Sequence, residues 1–180
     1  IKKNAKVYEK IADHIGEIPL VIISPADRDL IIEGSETRRK FVDSVIAQGN
    51  KTYLNALINY QKILSQRNAL LKYFAANYNF NHAQIDVYNT QMQEFGTYIY
   101  KERENFVNDF QPILQERYEN ISNAREKVNF TYKSQLQTET FTEGFQSHLE
   151  KDRRLNYSSF GIHKDDFQFE IQDFPIKKFG

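Results

Sequence analysis

The residues whose chemistry stands out first are one histidine and two aspartates near the end of the chain. His163, Asp165 and Asp166 belong to the run Gly161-Ile162-His163-Lys164-Asp165-Asp166. An imidazole with two carboxylates suits several divalent metal ions. The spacing is not diagnostic, and a further ligand would have to come from elsewhere in the chain. A metal site therefore stays open, but we favour a structural role in which these residues brace the neighbouring part of the fold.

A second group of oxygen atoms lies in the loop-like run Ser24-Pro25-Ala26-Asp27. The hydroxyl of Ser24 or the carboxylate of Asp27 could serve a hard cation such as Mg²⁺, directly or through water. The alternative is a turn in which these side chains bond to the backbone and start a helix. Both interpretations remain open from the residues alone.

The densest basic cluster is Arg38-Arg39-Lys40. It lies in the first turns of a predicted helix, where the helix dipole disfavours cations. A phosphate backbone could offset this, since the arginine fork matches phosphate oxygens. A nearby carboxylate, Glu33, Glu36 or Asp43, would do the same within the chain. We favour the pairing within the chain, and keep Arg38 and Arg39 as candidates for DNA binding.

Arg153 and Arg154 form another basic pair and are also candidates for DNA binding. Folding could bring them together with the other cations into one basic surface, namely Arg38, Arg39, Lys151, Lys164, Lys177 and Lys178. The chain carries 24 basic and 24 acidic residues, so its formal net charge is zero. A domain that binds nucleic acid usually carries a basic excess. A solvated face of mixed charge is therefore the default expectation for these residues.

Polar residues also interrupt an otherwise apolar helical pattern at Gln66-Arg67-Asn68. A polar network that fixes the register of the helix is the expectation we favour. A direct contact with a ligand is the alternative.

Several functional classes leave no trace in this sequence. There is no phosphate-binding loop of the form G-x-x-x-x-G-K-[ST], no Walker B strand, no G-x-S-x-G and no H-E-x-x-H. Cysteine is absent, which excludes disulfides and thiolate metal sites and is compatible with a cytoplasmic protein. The longest apolar run, residues 18–23, is far shorter than a membrane helix of about 20 residues. We expect no catalysis by this chain alone and no membrane association.

Hydrophobic spacing predicts a mainly α chain with some β structure. A buried strand is predicted at Pro19–Ile23, and a helix from the N-cap Ser35 to Gly49. Further helices are predicted at residues 51–74 and 83–121, and the short turn between them predicts an antiparallel hairpin. After Ser122, strands are predicted at residues 128–132 and 167–171 and a helix at 141–149. A turn at 172–175 and a return strand at 176–179 would complete a β-hairpin.

Several sequence motifs within and between these elements resemble those of the RecF family of bacterial recombination and repair ATPases. The family pattern S-P-x-D is met by residues 24–27, a following glycine by Gly34, and R-R-x-F-[LV]-D by residues 38–43. The longer pattern Y-Q-x-[IVL]-L-x-Q-R-N-x-L-L is met by residues 60–71. Residues 161–166 resemble G-P-H-R-D-D, with Ile162 in place of Pro and Lys164 in place of Arg.

The resemblance implies a fold and a division of the chain. It implies a long antiparallel helical arm attached to a small β element of an ABC-type ATPase head. The expected parts are a head-lobe strand and linking loop at residues 1–34, the arm at 35–121, and a return to the head lobe with a β-hairpin at 122–180. The chain would be a central fragment without the Walker A, signature and Walker B motifs of the longer protein.

The resemblance also implies a function for that longer protein. It would be an ATP-dependent DNA-binding protein that uses ATP and Mg²⁺, forms an ATP-dependent homodimer, and acts in recombinational repair and replication restart. With RecR and RecO-like partners it would help load the RecA recombinase at single-strand gaps, as in the SOS response. Ser24 and Asp27 would lie at the nucleotide and Mg²⁺ loop, although related ATPases have Gln-Gly there. Residues in the G-P-H-R-D-D-like motif would support the hairpin before the signature motif, namely Gly161, His163, Lys164, Asp165 and Asp166.

Composition alone favours a different class of function. The neutral net charge and the heptad-like apolar spacing of residues 88–113 are typical of a helical hairpin that binds other proteins. The alternative hypothesis is therefore a protein-interaction module without a nucleotide or DNA role.

Overall fold

The computed structural model describes residues 2–3, 6–7, 11–18, 20, 22, 24–123, 125–172 and 174–176. Its helices are α1 (Asp29–Ile32), α2 (Ser35–Gly49), α3 (Lys51–Asn77), α4 (His82–Ser122) and α5 (Phe141–Leu155). Its strands are β1 (Lys2–Lys3), β2 (Lys6–Val7), β3 (Val128–Lys133), β4 (Asp166–Ile171) and β5 (Phe174–Pro175). Short 3₁₀ turns lie at Ile11–His14, Pro25–Arg28, Gln135–Gln137 and Ile162–Lys164. The predicted fold class, mainly α with some β, is confirmed.

Helices α3 and α4 form the predicted antiparallel hairpin. The side chain of Asn50 caps α3 by accepting a hydrogen bond from the backbone N–H of Tyr53 at 2.9 Å, and it also donates to Glu102 in α4 at 2.9 Å. At the other end of α3, Leu71 and Phe74 pack against Ile85 near the start of α4. The start of α3 thus faces the middle of α4, and its end faces the start of α4. Helix α4 continues through Pro112, which cannot donate a helical hydrogen bond.

The core lies between the hairpin and α5. Tyr53, Tyr60, Met92 and Ile99 are buried there against aromatic rings from the second half of the chain, namely Phe141, Phe145 and Phe160. Gly144 has no room for a side chain, because an added Cβ would lie 2.0 Å from the Phe160 ring. The helices therefore approach the aromatic rings as closely as the backbone allows.

A small antiparallel sheet has the strand order β3-β4-β5 and packs against α2 and α4. In the register of β3 and β4, Phe130 faces Phe169 and Tyr132 faces Phe167. The rings of Tyr132 and Phe167 are stacked with centroids 5.0 Å apart. Aromatic pairs of this kind stabilise neighbouring strands. A separate two-stranded pair joins β1 and β2.

Several local predictions differ from the structure. Ser35 is already helical, and Gly34, with an extended backbone, is the N-cap of α2. In the predicted strand at 19–23, Leu20 and Ile22 are exposed and lie in no strand, because no described strand pairs with them; Pro19, Val21 and Ile23 lie outside the described residues. The return strand begins at Phe174 instead of 176, because Gln172 has a left-handed backbone (φ 50°) that turns the chain early.

The rest of the predicted return strand, residues 177–179, lies outside the described residues. Helix α3 ends three residues later than predicted, at Asn77, and α5 continues to Leu155. The division of the chain into parts at 1–34, 35–121 and 122–180 stays a prediction.

Candidate functional site

A buried arginine at the middle of α4 connects the helices to the segment between α5 and the sheet. The Arg103 guanidinium donates two parallel hydrogen bonds to the Asp43 carboxylate in α2, both at 3.0 Å. It also donates to the Asp165 carboxylate at 2.9 Å and to the carbonyl oxygen of Ile162 at 2.8 Å. Burial opposes the charge of Arg103, yet Asp43 and the neighbouring tyrosines hold its pKa well above the ordinary value. We call Arg103, Asp43 and Asp165 the Arg103 network.

Two tyrosines complete the Arg103 network. The hydroxyl of Tyr53 donates to Asp43 at 2.5 Å, and the hydroxyl of Tyr132 in β3 donates to Asp165. Burial raises the pKa of both tyrosines above the ordinary value of 10.0, so both remain protonated donors. Burial also raises the pKa of Asp165 in spite of Arg103. With these tyrosines, the network joins α2, α3, α4 and β3 to the G-I-H-K-D-D run through buried hydrogen bonds, two of which share Asp165 Oδ2. The other oxygen, Asp165 Oδ1, is buried without a hydrogen-bond partner among the described residues.

A second buried arginine, Arg67 in α3, holds the end of α5 and the residues after it. It donates to Asp152 and to the hydroxyl of Ser158, both at 2.7 Å, and to Asn89 in α4 at 2.8 Å. The side chain of Asn68 accepts from the backbone N–H of Ser158 at 2.7 Å. The contacts of Arg67 and Asn68 are those of a polar network within the fold, the interpretation favoured from sequence.

His163 lies between α3 and the residues after α5. Its Nε2 lies 3.0 Å from the carbonyl oxygen of Ser158, which can only accept, so Nε2 carries the proton. Its Nδ1 then accepts from the hydroxyl of Tyr60, also at 3.0 Å. Burial lowers the pKa of His163 to about 4, which keeps the ring neutral. Gly161, next to Tyr60, has φ +122°, and an added Cβ would lie 2.6 Å from the Tyr60 hydroxyl oxygen.

Arg38 and Arg39 both contact the same aspartate pair from α2. Arg38 donates to both oxygens of Asp166, at 2.8 and 3.1 Å, and to two backbone carbonyls. Arg39 donates to the backbone carbonyl of Asp165 at 2.5 Å. Pairing within the chain is therefore present: Lys40 pairs with Glu36, one of the predicted partners, at 2.7 Å, whereas the partners of Arg38 and Arg39 differ from those predicted. Asp43 binds Arg103, and the Glu33 and Glu36 carboxylates bind Thr37 and Lys40.

The Ser24–Asp27 loop has the geometry of a helix-starting turn. The Asp27 carboxylate accepts from the backbone N–H of Ser24 at 2.8 Å, and the backbone N–H of Asp27 donates to the Ser24 carbonyl at 3.0 Å. Asp27 itself is exposed. Among the residues that the structure describes, no group of three or more His, Cys, Asp or Glu side chains could hold a metal ion. Within the aspartate–histidine run, Asp165 Oδ2, both oxygens of Asp166 and both nitrogens of His163 are engaged by protein groups.

Two other cations of the predicted basic surface, Lys164 and Arg153, lie in different parts of the fold. The Lys164 ammonium lies 5.0 Å from the Tyr157 ring centroid. Burial lowers the pKa of Lys164, and the positive charges of Arg39 and Lys151 lower it further. Arg153 instead stacks over Phe80, at the turn between α3 and α4. The described contacts thus associate Arg38 and Arg39 with the sheet and Arg153 with the hairpin turn. Lys177 and Lys178 lie outside the described residues.

Curated relatives match this chain along its whole length. No protein-family model matches it. The DNA replication and repair protein RecF of Flavobacterium johnsoniae is 54% identical over 180 residues, which is 100% of this chain and 50% of that protein. The RecF protein of Phocaeicola vulgatus is 43% identical, over 99% of this chain and 47% of that protein. The chain belongs to the RecF family.

Solved structures of RecF match the fold as well. The recombination mediator protein RecF-ATP in the RecFOR pathway superposes with a TM-score of 0.90 at 26% identity, over 98% of this chain and 49% of that one. The RecF-ATPrS structure gives a TM-score of 0.88 at 25% identity, over 97% and 49%. The chain spans about half the length of the RecF proteins it matches. Among the described residues, no helix is long and apolar enough to cross a membrane.

Sequence reasoning on the RecF-like motifs missed Arg103, Asp152, Tyr53 and Tyr132. A signal for Arg103 was present, because it lies four residues after Ile99 and four before Val107, on the apolar seam of α4. Arg67 has the same position between Ile63 and Leu71 in α3. A lone arginine on a buried helix face needs carboxylate partners. The partners themselves, distant in sequence, carry no such signal.

Proposed function

We propose that this chain is the helical arm and adjoining head-lobe part of a RecF-like, ATP-dependent DNA-binding protein. The observation that carries the proposal is the 54% identity to a curated DNA replication and repair protein over the full length of the chain. The superposition on RecF bound to ATP supports it. The longer protein would act in recombinational repair and replication restart, as an ATP-dependent homodimer that works with RecR and RecO-like partners to load RecA at single-strand gaps in the cytoplasm.

In this proposal the chain itself is a coupling element and carries no catalytic residue. The Arg103–Asp165 pair fixes the helical hairpin to the Gly161–Asp166 segment, and the Arg67–Asp152 pair fixes it to α5; both pairs are buried. In the family pattern that segment precedes the hairpin that leads to the signature motif. A displacement of the head lobe on ATP binding would then move the helical hairpin with it, because breaking buried ion pairs costs several kcal/mol. In this role the β-hairpin before the signature motif is supported by Gly161, His163, Lys164, Asp165 and Asp166.

Ser24 and Asp27 fit an auxiliary role in the binding of ATP and Mg²⁺. Asp27 offers an exposed carboxylate, the ligand type that Mg²⁺ accepts, and Ser24 lies beside it in the same turn. One carboxylate and a hydroxyl do not make a complete Mg²⁺ site, so we propose that the loop contributes through water to a metal held mainly by nucleotide phosphates. Arg39, Arg153 and Arg154 are the proposed DNA contacts; all three guanidinium nitrogens of Arg38 are occupied within the chain.

The proposal is tested with the full natural protein that contains this chain. Fluorescence anisotropy would measure its affinity for a gapped DNA duplex with ATP and Mg²⁺, with ADP and Mg²⁺, and without nucleotide. We expect the tightest binding with ATP. Equal affinity in all three conditions would contradict ATP gating. Failure to bind DNA in any condition would reject the DNA role and leave the protein-interaction module as the explanation.

A further inference from the structure

The turn that joins α3 to α4 is the tip of the helical hairpin, and the end of α5 lies against it. Between them is a cleft of about 360 Å³. We call it the tip cleft; its lining includes Leu71, Phe74, Tyr78, Phe80, Arg153 and Arg154. Its volume lies at the lower end of the range of small-ligand sites. None of the tip residues belongs to the Arg103 network.

Tyr78 is the most exposed aromatic residue at the tip. Its side chain is 99% exposed, and its backbone is left-handed with φ 51° and ψ 30°. Glycine or asparagine usually occupies such a helix C-cap, since other residues adopt the left-handed conformation at a cost. The turn does not require a tyrosine, and the ring buries nothing within the described chain. Both faces of the ring are therefore open to a planar partner.

Of the two arginines in the tip cleft, one is held by neighbouring side chains and the other is not. The Arg153 guanidinium lies 4.4 Å from the Phe80 ring centroid and donates to Glu150 at 2.7 Å. Phe80 itself packs edge-on against Phe74, with ring centroids 5.0 Å apart. Arg154 is exposed, and no ion pair or hydrogen bond within the described residues engages it. The cleft thus combines an oriented arginine, an unpaired arginine and an open aromatic face.

We propose that the tip cleft binds an unpaired nucleotide of single-stranded DNA. The base stacks on Tyr78, and the phosphate pairs with Arg154, assisted by Arg153. Exposed aromatic rings beside cations are the usual means of binding single strands without sequence preference. An acidic peptide would satisfy the arginines but gives no role to the ring, so the observations favour a nucleotide. The inference rests on the proposed function in one respect, that the longer protein acts on DNA.

The role of the aromatic ring is tested by substituting Tyr78 in the full natural protein and measuring the affinity for fluorescein-labelled oligo(dT). Tyr78→Asn keeps a residue that tolerates the left-handed backbone and removes the ring, so folding is not at risk. We expect a loss of affinity of roughly five- to tenfold, the lower end of the effect of losing one base stack. Tyr78→Phe retains the ring and should bind as the wild type does. Binding to a blunt duplex should change little in either variant.

The charges are tested at Arg154 and Glu150. Arg154→Gln should weaken oligo(dT) binding and lower the slope of log affinity against log salt by about 0.7, the value for one phosphate contact on a single strand. Glu150→Gln removes the negative charge beside Arg153 and should strengthen binding. Arg117→Gln is the matched control, because it makes the same charge change near the opposite end of α4, where Arg117 is exposed.

The outcomes separate this inference from the proposed function. If the wild type binds oligo(dT) and Tyr78→Asn binds it equally well, the tip cleft is not a nucleotide site. If the tip variants keep their DNA affinity but lose binding to a poly-glutamate peptide, the cleft takes an acidic protein segment and the inference is overturned. If the wild type binds no DNA of any kind, the proposed function fails, and the inference fails with it.

Discussion

Gly161 shows how one residue can be dictated by a backbone conformation. Its φ of +122° with ψ 178° belongs to a region that only glycine adopts readily, and Tyr60 closes the space where a side chain would stand. Gly161→Ala should therefore lower the free energy of unfolding of this chain by about 1–3 kcal/mol. Urea denaturation followed by circular dichroism measures this.

The control for that substitution is Gly49→Ala. Gly49 ends α2, and an added Cβ there meets nothing within 4 Å. Alanine favours the helix, so this variant should be neutral or stabilised by up to about 1 kcal/mol. An equal loss of stability in both variants would mean that Gly161 is not required by its backbone conformation.

His163 should make the stability of the fold depend on pH. Its pKa in the folded chain is about 4, below the ordinary 6.5. Between these values the unfolded chain binds the proton and the folded chain does not, so the free energy of unfolding should fall as pH drops from about 6.5 toward 4. Asp165 acts in the opposite direction above its ordinary pKa of 3.8, because burial raises its pKa.

The variant His163→Gln isolates the histidine, since it keeps a hydrogen-bonding side chain that does not titrate. Urea denaturation at about pH 7 and about pH 5 should show a smaller difference in the variant than in the wild type. Asp165 is present in both proteins and cancels in this comparison. The same pH dependence in both would place the responsible proton elsewhere.

At the scale of elements, the Arg103 network decides how the hairpin is held to the sheet. Arg103→Met would leave Asp43 and Asp165 without their buried counter-charge. We expect the free energy of unfolding to fall by about 3–5 kcal/mol, the usual effect of removing one member of a buried ion pair. Adding Asp43→Asn and Asp165→Asn should restore part of this loss, because the uncompensated charges are then gone.

Arg117→Met provides the matched control on the same helix. Arg117 is exposed, so its loss should change the free energy of unfolding by no more than about 0.5 kcal/mol. Urea denaturation of the single, triple and control variants tests both statements. A small effect of Arg103→Met, comparable to that of the control, would show that the buried contacts do not fix the hairpin.

At the scale of the whole molecule, Arg38 and Arg39 should behave differently although they are adjacent. Arg38→Ala removes a bidentate contact with Asp166 from a side chain that is only 13% exposed, and should cost about 1.5–3 kcal/mol of stability. Arg39→Gln should instead weaken duplex binding by the full natural protein and lower its salt slope by about 0.9, the value for one phosphate. Denaturation and anisotropy titrations at several salt concentrations would measure the two effects.

Other results would change the roles assigned to Arg38 and Arg39. If Arg39→Gln leaves affinity and salt slope unchanged, its hydrogen bond to the Asp165 carbonyl is its whole role. If Arg38→Ala alone changes the salt slope, Asp166 releases Arg38 when DNA binds.

Local patterns in the sequence were enough to predict the helices, the helical hairpin and the family. Periodicity located α2, α3, α4 and the strands β3 and β4 to within a few residues, because the spacing of apolar residues on a helix or strand is a local property. The motifs at residues 24–71 and 161–166 indicated the RecF family, and the relatives confirm it. The internal pairing of Arg38 and Arg39 was also favoured, but on the evidence of carboxylates nearby in sequence.

The partners of the buried arginines, in contrast, follow from the packing of the folded chain. Arg103 meets Asp165 across 62 positions, and Arg67 meets Asp152 across 85. No local pattern encodes such pairs, since each depends on how helices and loops pack in three dimensions. In the apolar run at residues 18–23, the described residues Leu20 and Ile22 lie in no strand for a related reason. A strand is completed by hydrogen bonds to a neighbouring strand, and its own sequence specifies only half of that pairing.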